Sequence, residues 1–515
     1  MYTPSKRLFR AIVTVLIAAA AGSAHAQLSL VSQSAPSAAA EDDSGVLVEN
    51  HPTRSDVKFV KFYSPLLGRE TTTRVWLPPN YGPDGEPVST LYFLHGTTDV
   101  ATLDKIDSPG QPIPRPGYPF GPSGSGPNAE GGGEFLDEPA SRATFLVVYP
   151  DLGGSSLKWC GHCWWVDGRN GKGVAAESHI YKELIPVIEQ TFNVRRGRNG
   201  RAVSGKSMGA NGALLHSFRH PDWWRFALAF SPTEPGRHDL IDPPNGTFLW
   251  LEYLVDQGYG DYFTDQVHYE NIEPYYIAQN VVGTGLEVLV DIGSGCVPPE
   301  NDQPPCAGGP EKDLAEFRFR ASKDIWTSLV TERGVDLTYV VTQRLHNGPG
   351  QGESYRRFFA DRVERMFATP APAPALFSYS TVDTAFSAWG WDLRVERPTA
   401  EFLHLSGART DGTAITLAGT GVVTVTTPPL CGSSEDRQVL AVPDGVEGET
   451  MLPGEIIGGN RLRFTIDLGP RDPAVDQRRE LVENGKFNFP RTRIRIVDTA
   501  PSESSNKKKP SKKCS

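Results

Sequence analysis

Beyond its first 26 residues this chain has no apolar run approaching the roughly 20 residues that a membrane-spanning helix requires. A soluble mature chain is therefore expected. Positive charge is also in deficit: 51 Lys and Arg stand against 61 Asp and Glu, a formal net charge of −10, which argues against a general nucleic-acid binder. The one basic cluster, Lys507, Lys508, Lys509, Lys512 and Lys513, lies in a polar tail over 499–515 and reads as a solvated, disordered end. No internal repeat is evident. What remains is ordinary for a globular protein, with 38% hydrophobic and 22% charged residues in a chain of 515, long enough for two or three domains.

The N-terminus points to export. Lys6, Arg7 and Arg10 precede the apolar run from Ala11 to Ala21, and Ala24-His25-Ala26 is a small-x-small cleavage pattern, so 1–26 reads as a signal peptide and the location as secreted or periplasmic. The Ala- and Ser-rich stretch 27–50 reads as a flexible leader. In an oxidising compartment cysteines pair. Cys296 and Cys306 bracket a Pro-rich loop and are expected to be bonded; Cys431 and Cys514 are free or paired with each other. Cys160 and Cys163, in Trp159-Cys160-Gly161-His162-Cys163, have the spacing of a thiol–disulfide exchange site. Such a site needs a strand before the motif and a helix starting at its first cysteine, and neither pattern is present, so a local loop disulfide is the preferred reading.

The chemistry concentrates at Gly205-Lys206-Ser207-Met208-Gly209. An apolar strand, Arg201-Ala202-Val203, enters this stretch, and Ala213 to Phe218 leaves it with helical spacing. A serine raised on a strained strand-to-helix turn needs neighbours without side chains two positions either side, and Gly205 and Gly209 fill those places. Upstream, the strand Thr90 to Leu94 ends in His95-Gly96-Thr97.

From about Phe59 to Phe367 the chain resembles the esterase family of α/β-hydrolases, which includes S-formylglutathione hydrolase, feruloyl and acetyl esterases and mycolyltransferases. The resemblance rests on Ser64-Pro65-Leu66-Leu67-Gly68-Arg69-Glu70, Arg74-Val75-Trp76-Leu77-Pro78-Pro79-Asn80-Tyr81, Leu94-His95-Gly96, Val148-Tyr149-Pro150-Asp151, Glu183-Leu184-Ile185-Pro186 and Ser207-Met208-Gly209. It implies an α/β fold with a mostly parallel sheet, Ser207 as nucleophile, and backbone amides of Met208 and Thr97 as the oxyanion hole. His346, after the strand Leu337 to Thr342, falls where the fold places its base. Related chains often carry an aspartate directly after a glycine turn following the strand Leu286 to Ile292, but here Gly293-Ser294-Gly295 is followed by Cys296. Asp302 is the acid chosen, with Glu300, Asp291 and Asp313 as alternatives. His95 shapes the oxyanion loop, and His216 and His220, four apart on one helix, lack an apparent third ligand for a metal. No metal or cofactor is expected. Trp159, Trp164 and Trp165 fall in a segment that borders the active site in related enzymes, where they suit a sugar ring, an aromatic acyl group or the core.

The expected organisation is an esterase domain over 51–368, a Pro-rich linker over 369–375, and a β-sandwich-like domain over 376–498 built from short strands without helices between them. Ser108 to Gly133, dense in Gly and Pro, reads as an irregular loop. The expected function is an exported serine carboxylic-ester hydrolase on small or carbohydrate-linked esters. An acyltransferase, a binding protein that has lost its acid, and a disulfide oxidoreductase are the alternatives.

Overall fold

The computed structural model describes residues 45–51, 54–96, 134–152, 163–168, 173–232, 266–294, 323–344, 346, 351–432, 434–470, 489 and 491–499. Gly45–Ser515 forms one compact unit. Among the described residues its first part is built on nine strands: β1 (Leu47–Asn50), β2 (Val57–Ser64), β3 (Arg69–Trp76), β4 (Thr90–Leu94), β5 (Leu146–Asp151), β6 (Arg201–Lys206), β7 (Phe226–Phe230), β8 (Glu287–Gly293) and β9 (Leu337–Thr342). They lie in the order β1-β2-β3-β5-β4-β6-β7-β8-β9. The ladders from β5 through β4 to β9 are parallel and those joining β1, β2, β3 and β5 are antiparallel, so the sheet is mixed, with its parallel portion carrying the candidate site. The expected leader 27–50 therefore ends in structure, because Leu47–Asn50 pairs with Lys58–Lys61 as an edge strand.

Every residue of β4, β6 and β7 is buried, which requires cover on both faces and explains why Phe226–Phe230 is wholly apolar rather than alternating. The pleat sends successive side chains to opposite layers. In β4, Tyr92 and Leu94 join the cluster beneath the helix Met208–Arg219, while Leu91 and Phe93 join the cluster with Tyr355, Phe358 and Phe359 from the C-terminal helical run. A second helical run, Ala176–His179, a π turn at Ile180–Leu184 and Ile185–Thr191, covers the first face.

After Ala368 the chain forms β10 (Leu376–Thr381), β11 (Ala385–Ala388), β12 (Trp391–Glu396), β13 (Leu403–Arg409), β14 (Ala414–Ala418), β15 (Val422–Thr426), β16 (Arg437–Pro443), β17 (Thr450–Leu452), β18 (Gly454–Ile457), β19 (Arg461–Asp467) and β20 (Arg491–Asp498). They make two antiparallel sheets, β10-β13-β14-β20-β16-β17 and β11-β12-β15-β19-β18. One apolar cluster takes Phe377, Leu405 and Ile494 from the first and Leu393, Val423 and Phe464 from the second. Within the second sheet β11 and β12 form a tight hairpin, since Trp389 and Gly390 both turn to positive φ (50° and 85°) and reverse the chain.

The Pro-rich stretch is held against the first part rather than hanging free. Asn199 clasps Ala371 through two 3.0 Å hydrogen bonds, its Nδ2 donating to the carbonyl and its Oδ1 accepting from the amide. The two parts are also joined by polar contacts. Arg219 donates to Asp383 at 2.7 Å, the Tyr379 hydroxyl donates to the Arg219 carbonyl at 2.7 Å, and Asn280 exchanges hydrogen bonds with the backbone of Ser380. Val382 and Phe402 are buried in the same apolar cluster as the helix Met208–Arg219.

Candidate active site

Four parallel strands, β6 to β9, end on one edge of the sheet, and β4 ends beside them; this edge is where open α/β sheets place their ligands. Ser207 follows β6 and precedes the helix Met208–Arg219 with φ 54° and ψ −121°, a conformation that costs a non-glycine residue about 1–3 kcal/mol. The turn is held by the Ser207 amide donating to the Phe230 carbonyl at 2.9 Å, and by the Ser207 carbonyl accepting from the Ala210 and Asn211 amides at 2.9 and 3.1 Å. Its side chain is half-buried, while its neighbours on both sides are buried.

The glycines are there because of close approach. A Cβ on Gly205 would stand 2.2 Å from the Gly209 carbonyl oxygen, and a Cβ on Gly209 would stand 2.0 Å from that of Leu94. The turn is therefore pressed against the end of β4, next to His95 and Gly96. Met208 supplies the first amide of the helix, an end whose N–H groups have no partner within the helix and which favours negative charge. Thr97 lies outside the described residues.

Trp165 packs against His95. Its indole Nε1 donates to the His95 carbonyl at 3.1 Å, its ring meets the His95 ring edge-on at 4.8 Å, and Gly212 leaves space for it: a Cβ there would fall 2.7 Å from the indole. Trp164 and Trp165 are 3% and 0% exposed, so for these two the core reading is right and the stacking-platform reading is not. Trp159 lies outside the described residues. Both hold positive φ, 53° and 62°, and the Trp165 amide donates to the Cys163 sulfur at 3.3 Å. Cys163 is disulfide-bonded, as is Cys431; Cys160, Cys296, Cys306 and Cys514 lie outside the described residues. Among the described residues, the chain turns after Cys163 and no helix follows before Ala176, unlike a thiol–disulfide exchange site.

His346 follows β9 as expected, half-buried, with its carbonyl accepting from the buried side-chain amide of Gln351. Asp302, Glu300 and Asp313 lie outside the described residues. Asp291, in β8, is fully buried, and its Oδ2 accepts from Arg344 Nε and Ser354 Oγ, both at 2.9 Å. Burial raises its pKa, against the pull of the Arg344 charge.

Elsewhere, His216 and His220 turn to different partners. His216 Nδ1 lies 3.0 Å from the Tyr181 hydroxyl, while His220 Nε2 lies 2.7 Å from Glu177 Oε1. Burial drives the His216 pKa down to about 3, so the ring is neutral at physiological pH. Burial opposes the charge on Glu177, but Arg219 and His220 hold its pKa well below the ordinary carboxylate range. Among the described residues no group of three or more His, Cys, Asp or Glu is placed to hold a metal. A second Ser–His–Glu set, Ser64, His179 and Glu183, was not anticipated. Ser64 and Glu183 both meet Nδ1 of His179, the serine and histidine side chains are shut off from solvent, and Leu66 and Leu67 amides bond Glu183 and Ser64. A nucleophile needs the nitrogen opposite the acid, so this set locks the β2–β3 turn to the π turn and does no chemistry.

Residues 164–296 match the family model described as "Putative esterase". An S-formylglutathione hydrolase of Bos taurus is 29% identical over 119 residues, covering 22% of this chain and 36% of that protein. The chain thus matches about a third of that relative's length. Among solved structures, an S-formylglutathione hydrolase from Agrobacterium tumefaciens is 17% identical with a TM-score of 0.39, over 62% of this chain and 98% of that one. The fluorophosphonate-binding serine hydrolase FphF of Staphylococcus aureus is 14% identical with a TM-score of 0.41, over 60% and 98%.

Proposed function

We propose, from the esterase-family segment at 164–296, that this chain is a serine carboxylic-ester hydrolase working through an acyl-enzyme. The observation that carries the reading is Ser207 at positive φ on the helix N-terminus, with Gly205 and Gly209 pressed against the end of β4. In this reading Ser207 Oγ attacks the ester carbonyl and His346 takes the hydroxyl proton, since an unassisted serine is a weak nucleophile. The oxyanion is held by the Met208 and Thr97 amides, and collapse expels the alcohol, which takes the proton back from His346. Water activated by His346 then releases the acid. Asp302 is the proposed orienting carboxylate.

Small or carbohydrate-linked esters are the proposed substrates. The basic, apolar and small-residue pattern of 1–26 supports export to a secreted or periplasmic location. The two antiparallel sheets sharing one apolar cluster support a sandwich-like domain over 376–498 with a structural role.

The test is hydrolysis of short-chain p-nitrophenyl esters and fluorophosphonate labelling by the mature protein, beside Ser207→Ala and His346→Ala. Ser207→Ala is expected to abolish labelling, and each variant to lower kcat at least about a thousandfold. Hydrolysis that survives in either variant removes that residue from the mechanism. A wild type that neither hydrolyses nor labels would make the chain a binding protein of hydrolase fold.

A further inference from the structure

We propose that Arg344 and Asp291 are the positioning pair that sets His346 against Ser207, an inference that rests on the catalytic reading of those two residues. The ion pair is buried, its side chains 1% and 0% exposed. Arg344 uses two prongs, Nε to the Asp291 carboxylate at 2.9 Å and Nη2 to the Asp291 carbonyl at 2.8 Å, so its orientation is fixed and not merely its charge balanced. Two residues later comes His346, whose carbonyl is held by Gln351. The turn bearing the histidine is thus held on both sides.

The same aspartate is linked through the backbone to the turn that bears Ser207. Its carbonyl also accepts from the Ser231 amide at 2.7 Å, and the Arg344 guanidinium lies 5.9 Å from the centre of the Phe230 ring. The Phe230 carbonyl receives the Ser207 amide. A continuous series of contacts therefore runs across the ends of four adjacent strands, from Ser207 through Phe230, Ser231, Asp291 and Arg344 to His346. Ser231 itself holds φ 51° with no exposure, strain that persists only where surroundings dictate the backbone. The Ser294 amide donates to the Thr342 carbonyl at 2.8 Å, so the segment leading toward Asp302 departs from the same frame.

Stability alone does not account for the pair, because a buried ion pair is commonly matched or exceeded by apolar residues of similar volume. Direction does: a planar two-pronged guanidinium fixes an angle that an ammonium or a methylene chain does not.

The experiment compares Arg344→Lys and the apolar double variant Asp291→Leu/Arg344→Met with wild type, measuring thermal midpoint, kcat and KM on a p-nitrophenyl ester, and the fluorophosphonate labelling rate of Ser207. In the double variant the midpoint is expected near or above that of wild type, while kcat and labelling fall about ten- to a hundredfold with KM nearly unchanged, the cost of a misplaced base. Arg344→Lys, which keeps the charge and loses the fork, is expected to show the same fall in kcat and keeps the question answerable should the double variant not fold. Wild-type kcat in either variant overturns the proposal while leaving Ser207 and His346 in place. Absence of Ser207-dependent hydrolysis in the wild type removes the catalytic reading itself, and the positioning role with it.

Discussion

At the scale of single residues, the site depends on atoms that are missing. Gly209 and Gly212 stand one helical turn apart on the helix Met208–Arg219, yet a Cβ would meet rigid backbone at the first and a side chain at the second. Gly209→Ala is expected to give little soluble protein, since the Leu94 carbonyl cannot retreat without breaking β4. Gly212→Ala is expected to fold with a loss of about 1–3 kcal/mol, the usual cost of overpacking, and to lower kcat by displacing Trp165 from the His95 carbonyl. Denaturant unfolding and ester hydrolysis on the two variants check the order; equal effects would mean that the helix simply shifts. The serine was legible because a strained turn writes its requirement into neighbouring positions. Trp165 was not, because the carbonyl it serves lies 70 residues away in sequence.

At the scale of elements, polar side chains tie neighbouring strands and helices together, and their titration follows from burial. His404 on β13 lies 2.6 Å from the Ser380 hydroxyl on β10, and burial pushes its pKa down to about 3 from an ordinary 6.5. The folded state then binds fewer protons than the unfolded chain between those values. The stabilising effect of keeping the ring neutral is complete above the unfolded pKa and is lost as pH falls toward the folded one. His404→Gln is expected to reduce the dependence of unfolding free energy on pH by about 1.4 kcal/mol per pH unit between about pH 4 and 6. Denaturant titrations across that window measure it; parallel slopes in wild type and variant would show that His404 is protonated in the folded protein. β4, β6, β8 and β9 were legible from apolar runs, whereas β1 was not, because it lies at the end of an Ala- and Ser-rich stretch that reads as a leader. The β11–β12 hairpin was not, because its turn is Trp389-Gly390 rather than a sequence such as Asn-Gly that announces positive φ.

At the scale of the molecule, the end of the helix Met208–Arg219 is fastened to the C-terminal sheets. Arg219 is bonded to Glu177 on one side and Asp383 on the other, and Val382 lies in the larger core. Heating is therefore expected to unfold Gly45–Ser515 in one cooperative transition, and calorimetry that resolves two would show the parts to be independent. The two substitutions at the junction should differ. Asp383→Ala, at a partly exposed site, is expected to cost about 1 kcal/mol or less. Arg219→Met, which leaves Glu177 buried without its guanidinium, is expected to cost about 3–5 kcal/mol. Proline content marked 369–375 as a spacer, but proline governs only local backbone, and the clasp by Asn199 joins residues 172 apart.

The sequence by itself determined the strained turn at Gly205–Gly209, the strand and helix on either side of it and the change from mixed α/β to all-β character after Ala368. Each of these is a local requirement: a missing Cβ, an apolar run, a periodicity. Only the tertiary structure decided that Asp291 faces Arg344, that Trp164 and Trp165 are core, that His216 and His220 part company, and that the linker is held. Those outcomes depend on which strands become neighbours and on how deeply each side chain is buried, quantities set by the whole chain and written at no single position of it.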